Sequence, residues 1–177
     1  MGNLSEHFDI SEFLCPCCGK GNPSKKLIER LEQVFDILDA KSIIIPSGYR
    51  CPNYSASIGG YRNDAHTCNI AADIIVNKKG GGVYPAEDIA EAAERVGFGG
   101  IGMMNNSCHV DNRDCEPYVN NHWFGDERNG NDYIKTFQRG TIFPGEKEEP
   151  KVPEPKEELT KEELLAELKA LYEKYSI

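Results

Sequence analysis

The composition breaks near Pro144, and that break limits how much of this 177-residue chain can enter a core. From Glu146 to Ile177 there are ten Glu and six Lys, with Pro150, Pro153 and Pro155 closely spaced and no Gly. Charged, proline-rich sequence buries too little apolar surface to offset the entropy of ordering, so 146–158 predicts an extended linker. After it, Thr160 and Glu163 form a capping-box pair, and Leu164, Leu168, Leu171 and Tyr175 recur on one face of a helix over 159–177. That amphipathic face predicts docking on its own domain, docking on a partner, or self-association, although two heptads are short for a coiled coil. Six of the chain's 20 basic and ten of its 29 acidic residues lie in this tail, which leaves 14 and 19, a net charge of −5, for residues 1–145. A domain of that size closes around one core without disulfide stapling.

Charge and hydropathy remove whole classes of function. A net charge of −9 argues against nucleic acid, whose phosphates need a basic surface. No apolar run approaches the roughly 20 residues that span a bilayer, so no membrane span is expected. Glu6, Asp9 and Glu12 precede the first basic residue, Lys20, which is the reverse of a secretory signal. Synthesis in the cytoplasm without a signal peptide follows as an expectation. Seven cysteines then read as mostly reduced thiols rather than as a disulfide framework.

Helical and strand signals are mixed along 1–145 without a repeated βαβ unit. Ser24 opens a helix with apolar positions Leu27, Leu31, Val34, Phe35 and Leu38. Pro85 starts a second, through Ile89, Ala92, Ala93 and Val96, which Gly97 stops. Ile43 to Ile45, Ile70 to Val76, Gly99 to Met104 and Cys108 to Asp111 read as short strands. The class expected is α+β, a small, mainly antiparallel sheet with flanking helices.

Among four histidines, His66 stands seven residues before Asp73, and His109 stands two before Asp111 in a strand-like segment. A catalytic zinc takes about three protein ligands, commonly His with a carboxylate, and keeps one position open. His66, Asp73 and His109 supply that set, with Ala71 and Ala72 leaving room for a neighbouring segment. His109 and Asp111 share a strand face, so Asp111 either orients a ligating imidazole or acts on the substrate. Surface or hydrogen-bonded histidines are the plainer account of such spacing taken alone.

Ser47-Gly48-Tyr49-Arg50-Cys51-Pro52-Asn53-Tyr54, Gly59-Gly60, Ala65-His66 through Ala71-Ala72-Asp73, and His109-Val110-Asp111 follow one another in an order that resembles the zinc D-Ala-D-Ala carboxypeptidase family. That family includes the VanY-type and VanX-type enzymes, several phage endolysins and the zinc fold of hedgehog, and the likeness is to its small single-domain branch over roughly residues 5–120. The resemblance implies that His66, Asp73 and His109 bind Zn²⁺ and that Arg50 faces the cleft, where a guanidinium fork suits a substrate carboxylate. It implies hydrolysis of an amide between D-configured residues of a peptidoglycan stem peptide, by a D,D-carboxypeptidase or an endopeptidase. Such a protein reaches the cell wall after release, as a phage lysis enzyme does, or aboard a virion. Tyr49 and Trp123 are the further substrate-binding candidates, with Tyr118 nearby. His7 reads as structural or surface, and His122 beside Trp123 as structural or lining the cleft.

Three positions depart from the family pattern. Asp64 replaces a Ser two residues before the first His, and Asn69 replaces a Gly three residues after it, where Asn tolerates the same left-handed turn. Asn106 stands where several relatives carry the acidic general base, and an amide accepts no proton near neutral pH. Asp111 and Asp64 are the substitute catalytic carboxylates. A zinc-stabilised binding module that has lost its base is the alternative function.

Cys15-Pro16-Cys17-Cys18-Gly19 resembles half a zinc knuckle, with Cys15 and Cys18 in C-x-x-C spacing. A structural zinc needs four ligands, usually from two such halves, and no second C-x-x-C exists. Cys51, Cys68, Cys108 and Cys115 are single and complete a site only if the fold brings two of them close. Buried, inert thiols are the preferred reading, with a structural zinc or extracellular disulfides as alternatives.

Overall fold

A computed structural model describes residues 2–113, 122–131 and 133–146. The chain divides into two compact units, Met1–Glu146 and Lys147–Ile177. The expectations for Cys115 and Tyr118, and for the linker beyond Glu146 and the helix over 159–177, lie outside the described residues.

The first unit is α+β. After a single 3-10 turn at Ile10–Phe13 come α1 (Lys25–Ile37), β1 (Ala40–Ser47), α2 (Pro52–Ser57), β2 (Ala71–Lys78), α3 (Ala86–Arg95), β3 (Gly100–Met103), β4 (Cys108–Asp111) and β5 (Trp123–Asp126). The five strands form one sheet in the order β1-β2-β4-β3-β5, antiparallel throughout except for the parallel pairing of β3 with β5. Both long helices and the first four strands fall where periodicity predicts them. The short α2, started by Pro52 at its first turn, and the four-residue β5 carry too little pattern to be read in advance.

Each helix forms for local reasons and buries one stripe. The Ser24 hydroxyl accepts the Leu27 N–H at 3.2 Å and caps α1, which turns Leu27, Ile28, Leu31 and Val34 inward. Helix α3 buries Ala86, Ile89, Ala90, Ala92 and Ala93, and these small side chains let it lie close to β3 and β4 while it also meets α1. From the sheet, Ile74 and Val76 on β2, Ile101 on β3 and Val110 on β4 complete the core with no exposed surface. Each such side chain contributes about 1.5–3 kcal/mol by leaving water. Among the described residues no helix is long and apolar enough to cross a membrane.

The alternation of strand side chains leaves the opposite face of the sheet to a different set. Asp73 on β2, His109 and Asp111 on β4, and Gly100 and Gly102 on β3 stand there. A one-residue slip of β2 would carry Asp73 into the core and Ile74 into water, so the apolar face fixes the register of the polar one. Asn69, in the turn before β2, has φ +60°, and the left-handed conformation expected of this Asn is present.

The segment after β5 is tied back to α3 by one fully buried charge. Glu91 accepts from Arg95 Nη2 at 2.7 Å, Arg139 Nε at 3.0 Å, and the Thr141 N–H and hydroxyl at 3.0 and 2.7 Å. Burial raises its carboxyl, but the Thr141 and Arg139 hydrogen bonds and Arg95 prevail and hold it down at about 2. The contribution to stability is therefore present above the ordinary Glu range and is lost as pH falls through about 2. Glu91→Gln should lose about 3 kcal/mol in urea denaturation at neutral pH, the cost of breaking a buried ion pair. The variant's deficit should shrink when the titration is repeated near pH 3; an equal deficit at both pH values would remove the carboxylate as its source.

Candidate metal centre

Three elements deliver three donor atoms to one point. His66 comes from the turn that precedes β2, Asp73 from the middle of β2, and His109 from β4, where it is the direct cross-strand partner of Asp73. His66 Nε2 and His109 Nδ1 lie 3.1 Å apart, His109 Nδ1 and Asp73 Oδ1 3.1 Å, and His66 Nε2 and Asp73 Oδ1 3.4 Å. Two donors on a tetrahedral ion held at about 2.0–2.1 Å are about 3.3–3.4 Å apart, so the donor spacing fits zinc. The chemistry of the set fits as well. Hard and borderline donors, two imidazole nitrogens and one carboxylate oxygen, all present lone pairs to the same point.

The other atom of each ligand is held from behind. The Gly48 carbonyl accepts from His66 Nδ1 at 2.7 Å, and Asp111 Oδ2 accepts from His109 Nε2 at 2.9 Å. These contacts place the ring protons on the outer nitrogens and leave the inner ones free to ligate. Arg50 Nη2 donates to the outer oxygen of Asp73 at 2.5 Å while its Nε donates to Ser47 Oγ at 2.7 Å. Arg113 grips Asp111 through Nε and Nη2, at 3.0 Å to Oδ1 and 2.7 Å to Oδ2. Gly100, opposite Asp111 on β3, makes the room for this carboxylate, because a Cβ there would stand 2.1 Å from Asp111 Oδ2.

The electrostatics favour positive charge at the centre. Burial raises the Asp73 carboxyl, but its contacts with His109 and His66 hold it well below the ordinary carboxylate range. Burial likewise disfavours the His109 imidazolium, yet Asp111 and Asp73 outweigh it and push the ring's pKa up. The same two carboxylates stabilise a cation in place of that proton.

A cavity of about 300 Å³ opens over the donors, walled by Arg50, Asp64, Ala65, Met104, Arg113, Trp123 and Glu127. Trp123 stands edge-on to His109, with ring centres 6.2 Å apart, and Arg113 lies over its indole at 5.3 Å. Trp123 and Arg50 are thus at the cavity, as expected, although two Arg50 nitrogens already serve Asp73 and Ser47. Tyr49 is not in the cavity wall. Its phenol lies in the field of the Cys18, Cys51 and Cys15 thiols, and burial first, then those charges, raise its pKa. His122 lines a separate shallow pocket with Phe124, Tyr133 and Lys135. His7 is structural, pairing with Glu32 at 2.5 Å and stacking on Phe35.

Neither substitute carboxylate stands where a free base is needed. Asp111 is fully buried behind His109 and bound by Arg113, so it orients the ring. Asp64 borders the cavity, but it accepts from the Ser55 hydroxyl and from the Thr67 N–H at 3.0 Å, and so closes the turn that carries His66. Asn106 is exposed in the β3–β4 turn and lies outside the cavity wall. Glu127, which sequence reasoning passed over, has no hydrogen-bond or ion-pair partner for its carboxylate among the described residues and lines the cavity. Its Oε1 sits 3.0 Å from where a Cβ on Gly102 would be, and Gly102 is the cross-strand partner of His109. A Cβ at 102 would also stand 2.8 Å from the Trp123 ring, so the glycine makes room on this side of the cavity. Arg113 and Glu127 carried no motif signal, since both enter the site through turns after β4 and β5.

The thiols are mostly not buried, contrary to expectation. Cys17, Cys18 and Cys68 are exposed and Cys51 is half-buried, while Cys15 and Cys108 are enclosed. Cys108 faces the core and donates to the Ala86 carbonyl at 3.2 Å, away from the metal ligands.

Asp111→Asn should weaken divalent-metal binding by about 10- to 100-fold, measured against a competing chromophoric chelator, because the His109 ring loses its carboxylate acceptor. Unchanged affinity would show that Asp111 does not orient the ligand.

The family model of peptidase M15 matches residues 6–111, more than half of the chain, and the chain belongs to this family of metallopeptidases. No curated protein matches it.

Proposed function

Within the M15 peptidases, we propose that this chain is a zinc-dependent peptidoglycan hydrolase that cleaves amide bonds between D-configured residues of stem peptides. The observation that carries the reading is the set of His66, Asp73 and His109 donors beneath a cavity that offers two arginines and a carboxylate without a partner among the described residues. His66, Asp73 and His109 would hold a zinc ion, which when bound would supply Lewis acidity to a water molecule and to the scissile carbonyl. The residues of the chain do the rest. Arg50 and Arg113 present positive charge to the carboxylate end of the peptide, and Trp123 gives its backbone an apolar wall. Glu127 accepts the proton of the attacking water at a carboxylate oxygen and returns it to the leaving amine nitrogen. Arg50 also orients Asp73 through its outer oxygen.

A cavity of about 300 Å³ suits the end of a short peptide, a terminal D-Ala or one arm of a cross-link. The enzyme acts on the cell wall after release from the cytoplasm or from a virion. Asn106 favours the alternative, a binding module without a base, and Glu127 is the reason to prefer the enzyme.

Mass spectrometry of peptidoglycan fragments incubated with zinc-loaded protein tests the reading, with a chelator-treated control. Loss of one alanine identifies a carboxypeptidase and splitting of cross-linked dimers an endopeptidase, in the zinc sample alone. No change across several wall chemistries, with zinc still bound, would favour the binding module. In the active case Glu127→Gln should slow hydrolysis by about 10²–10⁴-fold with metal content unchanged. A rate equal to wild type would remove Glu127 as the base.

A further inference from the structure

The loop after the 3-10 turn and the segment after β1 meet around a group of thiols. The approach is set by backbone contact, since the Tyr49 N–H donates to the Phe13 carbonyl at 2.9 Å. That contact lays Cys51 against Cys15 and Cys18, and the three Sγ atoms all lie within 4.8 Å of one another. The loop itself is closed by the Cys15 N–H donating to the Lys20 carbonyl and the Gly19 N–H donating to the Cys15 carbonyl, both at 2.8 Å. The Cys51 N–H points at Cys15 Sγ, 3.3 Å away. Such N–H···S contacts stabilise a thiolate. Cys17, next in the loop, is exposed and stands outside this group of three.

We propose that Cys15, Cys18 and Cys51 form a structural site for a thiophilic d¹⁰ ion, zinc, separate from the His66–Asp73–His109 centre. Soft sulfur donors select such an ion over the hard cations. Burial raises the Cys15 thiol, but the N–H groups of Cys51, Cys18 and Cys17 bring it to about 7, which eases ligation.

The site has a mechanical consequence for the metallopeptidase. Cys51 follows Arg50 directly, and two residues before Arg50 is Gly48, whose carbonyl holds His66 Nδ1. An ion on the thiols fixes the far end of the segment that positions both groups.

Cobalt substitution of the full-length protein, purified under reducing conditions, tests the assignment. The cysteine site should give a sulfur-to-cobalt charge-transfer band in the near ultraviolet. That band should persist in His66→Ala and disappear in Cys51→Ser, while Cys68→Ser leaves it intact. Cys18→Ser, at an exposed position, should remove it as well and guards against a folding defect in the other variant. Zinc analysis should show one equivalent surviving in His66→Ala. Absence of the band in reduced wild-type protein would overturn the proposal. So would its persistence in both Cys51→Ser and Cys18→Ser, or intact-mass evidence that these cysteines are disulfide-linked in the protein as isolated from cells.

Discussion

Asp73 and His109 oppose each other directly across the antiparallel β2–β4 ladder, and most of the first unit serves to keep them so. Directly opposed residues have Cβ atoms about 4.5–5.5 Å apart, close enough for a carboxylate and an imidazole to share one cation. Nothing polar in the ladder itself selects that register. Selection comes from the other face, where Ala72, Ile74, Val76, Cys108 and Val110 are buried in the core that α1 and α3 also line. The hydrophobic core therefore positions the metal ligands, and His66 is added by a turn that Asp64 and the left-handed Asn69 hold in shape.

Charge balance around the donors sets the cleft apart from the acidic remainder of the chain. Asp73 and Asp111 are each paired with an arginine, Arg50 and Arg113, so the four side chains sum to zero. A dication adds two positive charges, and Glu127 removes one. Asp64, also in the wall, removes the other, so the cleft with a dication carries no net charge inside a chain whose net charge is −9. At separations beyond roughly 10 Å, salt screens the acidic surface, and the local field of the cleft governs the last step of approach.

The sequence made the fold legible where the pattern was long and the chemistry was local. Helices α1 and α3 have repeating apolar stripes, β1 to β4 have β-branched or alternating runs, and the His66, Asp73 and His109 spacing falls within recognisable motifs. The failures share a physical cause. Sequence leaves open whether Asp111 orients the His109 ring or acts on substrate, and it offers Asp64 as a catalytic carboxylate, because it does not reveal that Arg113, His109, Ser55 and Thr67 already occupy them. Tyr49 neighbours Arg50 in sequence, but adjacent residues in an extended segment point to opposite sides, and it turns towards the thiols. The completion of the Cys15–Cys18 pair by Cys51 depends on the contact of Phe13 with Tyr49, a long-range approach with no signature in spacing.

The same contrast bears on where a proton acceptor can reside. Metal ligands must converge to within a few tenths of an ångström, so they are bound to a ladder register and to the motifs that encode it. A general base needs only to reach the water, directly or nearly so, and any element bordering the cavity can donate it. Here the β3–β4 turn carries Asn106, and the carboxylate proposed as the base, Glu127, lies beyond the matched residues 6–111, just after β5. The parallel pairing of β5 with β3 brings that end alongside Gly102, and the missing side chain at 102 leaves the space it enters. A glycine in β3 and an acidic residue 25 positions later thus meet at one wall of the cavity, and neither is informative in the sequence without the other.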